Sequence, residues 1–71
     1  MRLIYDEAAD AAFLYFSDEP AEVARTDLCD VEMTNASVIL LFSPEDQLAG
    51  FEILGAAKLL SQAALSRAET Q

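Results

Sequence analysis

The apolar positions along this chain change period at Gly55. Before it they form short runs or alternate with polar residues, as in strands. After it they recur at helical spacing. The best-defined stretch is residues 38–54. Five apolar residues (Val38, Ile39, Leu40, Leu41, Phe42) run into a polar break with a proline, and a second apolar run, 48–54, follows. This predicts a β-hairpin at the centre of a small sheet. The first run suits a strand covered on both faces. The second alternates, with Ala49, Phe51 and Ile53 on one face and Leu48, Gly50, Glu52 and Leu54 on the other.

Taken in order, residues 2–6 form a short alternating strand, with Leu3 and Tyr5 on one side and Arg2, Ile4 and Asp6 on the other. Residues 6–10 read as a tight loop or single helical turn. Residues 11–17 are a second, aromatic strand in which Phe13 and Tyr15 share a face and Leu14 and Phe16 take the other. Ser17-Asp18-Glu19-Pro20 ends it, because proline donates nothing to a ladder. Residues 22–28 alternate weakly and predict an edge strand whose charges discourage further pairing. Residues 29–36 read as its continuation through Val31 and Met33, with a turn at 34–36. From Ala56 to Ala68 the chain is rich in alanine and leucine and lacks β-branched residues. That predicts one amphipathic helix with a stripe at 56, 60, 63, 64 and 67, followed by frayed residues 69–71.

The expected architecture is α+β: a single domain over residues 1–71, with a four- or five-stranded antiparallel meander over about 2–54 and one C-terminal helix over about 56–68. One helix covers only part of one face of such a sheet. The hydrophobic fraction of 54% is high for 71 residues, which leaves apolar area to be covered by another chain. A homo-oligomer, with a dimer favoured, is the expectation.

Charge narrows the partners. Thirteen acidic residues against four basic ones give a net charge of −9, which argues against nucleic acid and anionic membrane surfaces. The same charge suits a basic protein partner. No run approaches the roughly 20 apolar residues of a membrane span. The acidic start is unlike a signal peptide, and the single cysteine, Cys29, fits a reducing cytoplasm.

Candidate chemistry is sparse. Without histidine the chain lacks the commonest general base and metal ligand. Cys29 has no activating partner and reads as a buried or half-exposed structural residue. The six aromatic residues, with no basic residues beside them, read as core rather than base-stacking platforms. Carboxylates gather at Asp6, Glu7 and Asp10, at Asp18 and Glu19, and at Glu45 and Asp46, but none lies in a glycine-containing calcium loop. Glu52 stands within an apolar strand and reads as edge-facing or solvent-facing, against the alternative of a buried acid. Gly50 marks a bulge or a close approach by the helix, and Gly55 sits at the helix N-cap. No catalytic, cofactor or metal residue is assigned.

Two segments carry a resemblance. Tyr5-Asp6 followed by Asp10-Ala11 and a strand ending Ser17-Asp18, and Gly50-Phe51-Glu52-Ile53-Leu54-Gly55 running into a helix, resemble the opening and closing patterns of domain of unknown function 2283. The similarity spans most of residues 3–60. This chain has Gly55 where that family usually has Asp, and Ala57 where it has Ser, so a capping side chain is missing. The segment 29–37 also looks longer than usual. The resemblance implies a small antiparallel sheet with a C-terminal helix and no established activity. Members often sit beside small basic, toxin-like proteins, which implies an antitoxin-like role by association.

Three functions follow as expectations. The first is a non-enzymatic, homo-oligomeric interaction module that binds a basic protein through its acidic surface. The second is a carboxylate-based metal-binding protein or small enzyme using Asp6, Asp10 and Glu52. The third is a binder of a small apolar ligand between sheet and helix or between subunits.

Overall fold

A computed structural model describes residues 1–19, 22–31 and 35–70. Six strands form one sheet: β1 (Arg2–Asp6), β2 (Ala11–Tyr15), β3 (Arg25–Asp30), β4 (Ser37–Phe42), β5 (Leu48–Leu54) and β6 (Glu69–Thr70). Two short helices, α1 (Ala56–Leu59) and α2 (Gln62–Ser66), lie between β5 and β6. The α+β class holds, but the sheet is larger than expected and the single helix is replaced by two.

The strand order is β3-β4-β5-β2-β1-β6, so the sheet is not a simple meander. The central hairpin pairs as its pattern predicts, with Leu40 opposite Phe51 and Val38 opposite Ile53. Strand β2, however, pairs with β5 instead of its sequence neighbour β3. Two features favour that exchange. The chain between Tyr15 and Arg25 is too long to act as a tight turn, so it imposes no neighbour. And β5 offers β2 an apolar row plus Gly50, which lies opposite Tyr15. A Cβ on Gly50 would stand 2.1 Å from the Leu14 carbonyl oxygen, so the close approach at this glycine is made by the β2 backbone and not by a helix. The expected bulge lies beside it, where the β4–β5 register slips between Leu41 and Phe42.

Strand β3 takes the edge, as its charges predict, and begins at Arg25 rather than residue 22. Its expected continuation stops at Asp30. Residues 32–34, including the Met33 position of that expectation, lie outside the described residues. The β4–β5 turn is closed by the Ser43 amide on the Gln47 carbonyl (2.8 Å) and the Asp46 amide on the Ser43 carbonyl (2.9 Å). Asp46 adopts φ +61°, a conformation aspartate tolerates better than most residues.

The predicted single helix breaks at Leu60, which is extended (φ −101°, ψ 142°). Ser61 starts a new helix because its hydroxyl accepts the Ala64 amide at 3.1 Å, and that capping bond outweighs continuation through a polar Ser-Gln pair. Of the segment expected to fray, Glu69 and Thr70 pair in parallel with Ile4 and Tyr5, and Gln71 lies outside the described residues. A side-chain clamp helps, since the Arg2 guanidinium donates to both carboxylate oxygens of Glu69 (3.0 and 2.9 Å). This parallel pair makes the sheet mixed.

Register sorts the strands into two faces. Rows across the antiparallel strands place Leu28, Ile39, Glu52, Phe13 and Ile4 on one face. The other face carries Val38, Ile53, Ala12 and Tyr5 in one row, and Leu40, Phe51, Leu14 and Leu3 in the next. The helical crossover passes over this second face, where Tyr5 joins Ala57, Gln62 and Leu65 around a cavity of about 430 Å³. On the first face a cavity of about 310 Å³ is lined by strand residues alone, Arg2, Ile4, Phe13, Tyr15, Glu69 and Thr70. That face is open.

The core is thin. Among the described residues the buried apolar ones are Ala11, Ala12, Ala36, Leu41 and Ala56, and no large side chain is fully buried. The expectation that the aromatics form an enclosed core is therefore corrected: Phe16 is 41% exposed, and the others are half-buried. They pack on one another along the sheet, Phe13 stacked on Tyr15 and Phe16 edge-on to Phe51. Strand β4, expected to be covered on both faces, buries only Leu41. The accessible surface is 4821 Å². A folded monomer of this mass exposes about 4300 Å². The excess accords with the thin core.

Candidate functional site

Two places gather polar groups in an apolar setting. The first is the junction of the β1–β2 turn with α1. Asp10 turns the chain at φ +49°, and its carbonyl accepts the amides of Gly55 (2.9 Å) and Ala56 (3.0 Å). Its carboxylate accepts the Ala57 amide at 2.9 Å and the Tyr5 hydroxyl at 2.8 Å. Gly55, the N-cap of α1, has no side chain to offer and lies at φ +74°. The capping group that seemed to be missing thus comes from a distant turn. Hydrogen bonding to the Asp10 carboxylate raises the pKa of Tyr5, because ionising the phenol would forfeit the bond and set two anions together. Asp10 is a structural hub: its carbonyl oxygen and its Oδ1 each accept two hydrogen bonds.

The second place is the open face. Glu52 sits in the middle of that row, between Ile39 on β4 and Phe13 on β2, with Gly50 and Leu54 next on the same face of its own strand. It is half-buried and has no hydrogen-bond or ion-pair partner among the described residues. The expectation of an edge-facing position is corrected, because β5 is an interior strand; Glu52 faces outward from the sheet's open side. Chemically the row is an apolar strip with one unpaired anion at its centre.

The remaining carboxylates are dispersed. Asp6 accepts the Ala9 amide at 3.3 Å within its own turn. Asp10 is committed to the helix junction, and Glu52 stands on the open face, so these three do not converge. Among the described residues no three His, Cys, Asp or Glu side chains are grouped to hold a metal ion. Asp18 takes the N-terminal ammonium at 2.7 Å, which lowers its pKa. Glu69 is lowered likewise by Arg2.

Arg25, in the sequence one of the charges of the edge strand, has a further role. It lies over the Phe42 ring, 4.1 Å from its centroid, and bonds both Asp27 and Asp46, the latter at 2.6 Å. Only the abundance of acids around a scarce base hinted at this role. Cys29, expected to be at least partly enclosed, is exposed on β3. On the same strand Leu28 is 63% exposed. No helix among the described residues is long and apolar enough to cross a membrane.

The family profile described as protein of unknown function (DUF2283) matches residues 2–56. The match takes in the first five strands and Asp10 with Gly55 and Ala56, while Ala57 and the rest of α1, α2 and β6 lie beyond it. No curated protein and no solved structure matches the chain.

Proposed function

The chain belongs to the DUF2283 family, and on that footing we propose that it is a non-enzymatic, homo-oligomeric protein-interaction module of the cytoplasm whose open sheet face receives a basic partner protein. The observation that carries the reading is this face: an apolar row centred on Glu52, beside a cavity lined by strand residues alone, with no partner for that carboxylate among the described residues. A partner offering a lysine or arginine among apolar side chains would cover the row and neutralise the one charge that water now solvates. The net charge of −9 draws such a partner in before contact. An antitoxin-like role toward a small basic protein is one form of this activity.

Two measurements test it. Light scattering on a sizing column should return a multiple of 7.7 kDa; a monomer across a dilution series would remove the oligomer. Co-expression with basic proteins encoded nearby should recover a complex that Glu52→Lys abolishes without changing the mass of the protein alone. If no complex forms, or if Glu52→Lys leaves it intact, the open face is not the receiving surface.

A further inference from the structure

We infer that the homo-oligomer is a two-fold dimer formed by β3 pairing antiparallel with β3 of a second copy, in the register that sets Leu28 opposite Leu28. The inference rests on the oligomeric reading above and names its surface. Strand β3 ends the sheet order, and each of its six residues is exposed.

The ladder to β4 fixes which backbone groups are free. The Val31 amide donates to the Ala36 carbonyl at 3.4 Å, one step beyond the Asp30–Ser37 pair. Because bonded and non-bonded pairs alternate in an antiparallel ladder, Arg25, Asp27 and Cys29 point their amides and carbonyls at β4. Thr26, Leu28 and Asp30 point theirs outward. Three residues in a row, two apart, thus present donor and acceptor to an incoming strand.

A dyad normal to the sheet keeps each face on its own side, so opposed residues must share a face, and only certain registers are allowed. Centring on Leu28 pairs Thr26 with Asp30 of the second copy, and all three outward residues are used on each side. Centring on Asp27 sets two like charges directly opposite and leaves Asp30 without a partner residue in β3. Centring on Cys29 leaves Thr26 without one. The Leu28 register therefore satisfies the most backbone groups, covers a side chain that is 63% exposed, and lets the Thr26 hydroxyl donate to the Asp30 carboxylate.

Charges on an edge strand ordinarily prevent such pairing. Here two of the three are already spent within the chain. Arg25 and Asp27 bond each other, and Arg25 also holds Asp46. Asp30 accepts from the Ser37 hydroxyl at 3.3 Å and keeps lone pairs for Thr26 of the second copy.

Cysteine cross-linking tests the register in the intact protein. The Leu28→Cys, Cys29→Ser double variant should link to itself under mild oxidation, since directly opposed Cα atoms lie about 5.5 Å apart, within disulfide range. Asp27→Cys with Cys29→Ser should link to the wild-type chain, through its Cys29, and not to itself. Ala63→Cys with Cys29→Ser, on the exposed side of α2, sets the background. In the unmodified protein the amides of Thr26, Leu28 and Asp30 should gain exchange protection as concentration rises. A dimer by light scattering whose Leu28→Cys variant links no faster than background overturns the β3 interface and leaves the oligomer standing. Self-linking of the Asp27→Cys variant overturns the register. A monomer at every concentration overturns both the interface and the oligomer.

Discussion

The carboxylate of Asp10 accepts the amide of Ala57, which lies 47 positions further along the chain. One aspartate thereby does the work of a helix cap for a segment whose own cap position is glycine. Asp10→Ala should lose that bond, worth about 1 kcal/mol, and should also strain the φ of +49° by about 1 kcal/mol. Asp10→Asn retains an acceptor oxygen and tolerates the backbone, so it should cost less than half as much. Urea unfolding of the pair measures the difference. Equal losses would mean that the carboxylate does not cap α1.

Tyr5 donates to the same carboxylate, and its raised pKa makes an alkaline prediction. The folded state holds the phenol protonated more firmly than the unfolded chain does. The stabilisation is therefore complete below the unfolded value of about 10, and is lost as pH rises from there through the folded pKa. An absorbance titration should resolve Tyr5 ionising after an ordinary phenol. Tyr5→Phe should flatten the fall in thermal midpoint at high pH, and an unchanged slope would rule the linkage out.

At the far edge, the pKa of Glu69 is lowered by the Arg2 guanidinium. A lowered carboxylate stabilises above its unfolded pKa, and the contribution fades as pH falls through the folded one. The pair is solvent-exposed, so its effect is local. Acid, or Glu69→Gln at neutral pH, should release β6 before the sheet melts. Hydrogen exchange at Thr70 should speed up while the amides of β5 keep their protection.

The two glycines should respond differently to alanine. At Gly50 the added carbon meets backbone of β2 at 2.1 Å, and neither strand can move without breaking the interior of the sheet. Gly50→Ala should cost more than 3 kcal/mol, at the severe end of single substitutions. At Gly55 the nearest atom is 3.2 Å away, and the penalty is the φ of +74°, about 1–2 kcal/mol. Thermal unfolding orders the two. A milder loss at Gly50 would contradict the close β2–β5 contact.

How far the pattern of residues could be read follows from how local each feature is. The β4–β5 hairpin is written in adjacent apolar runs and a polar turn, and its faces match the alternation of residues 48–54. The helix break needed attention to Ser61, whose capping hydroxyl is a local signal outweighed by the alanines on either side. The β2–β5 pairing was out of reach, since Leu14 and Phe51 meet across 37 positions and nothing near either one specifies the other. The same holds for β6, two residues held by a partner at the opposite end of the chain. Glu52 was visible as an anomaly in an apolar strand. Its place at the centre of an apolar row became apparent only when Phe13 and Ile39 took up positions beside it.

The brevity of β6 governs how large an assembly can grow. A sheet with two long bare margins invites an endless ribbon, each copy adding to the next. This sheet has one long margin, β3, and at the other end a two-residue stub whose arginine–glutamate clamp gives an incoming strand little to register on. In the proposed dimer, mutual use of β3 would leave no long margin free, and association would stop at two. Freeing β1 by removing the chain from Glu69 onward would restore the second margin. The expected product is a ladder of sizes in place of a single species, visible as a broadened and concentration-driven peak on the sizing column. Strand β6, outside the residues the family profile matches, would then act as the stop signal against polymerisation.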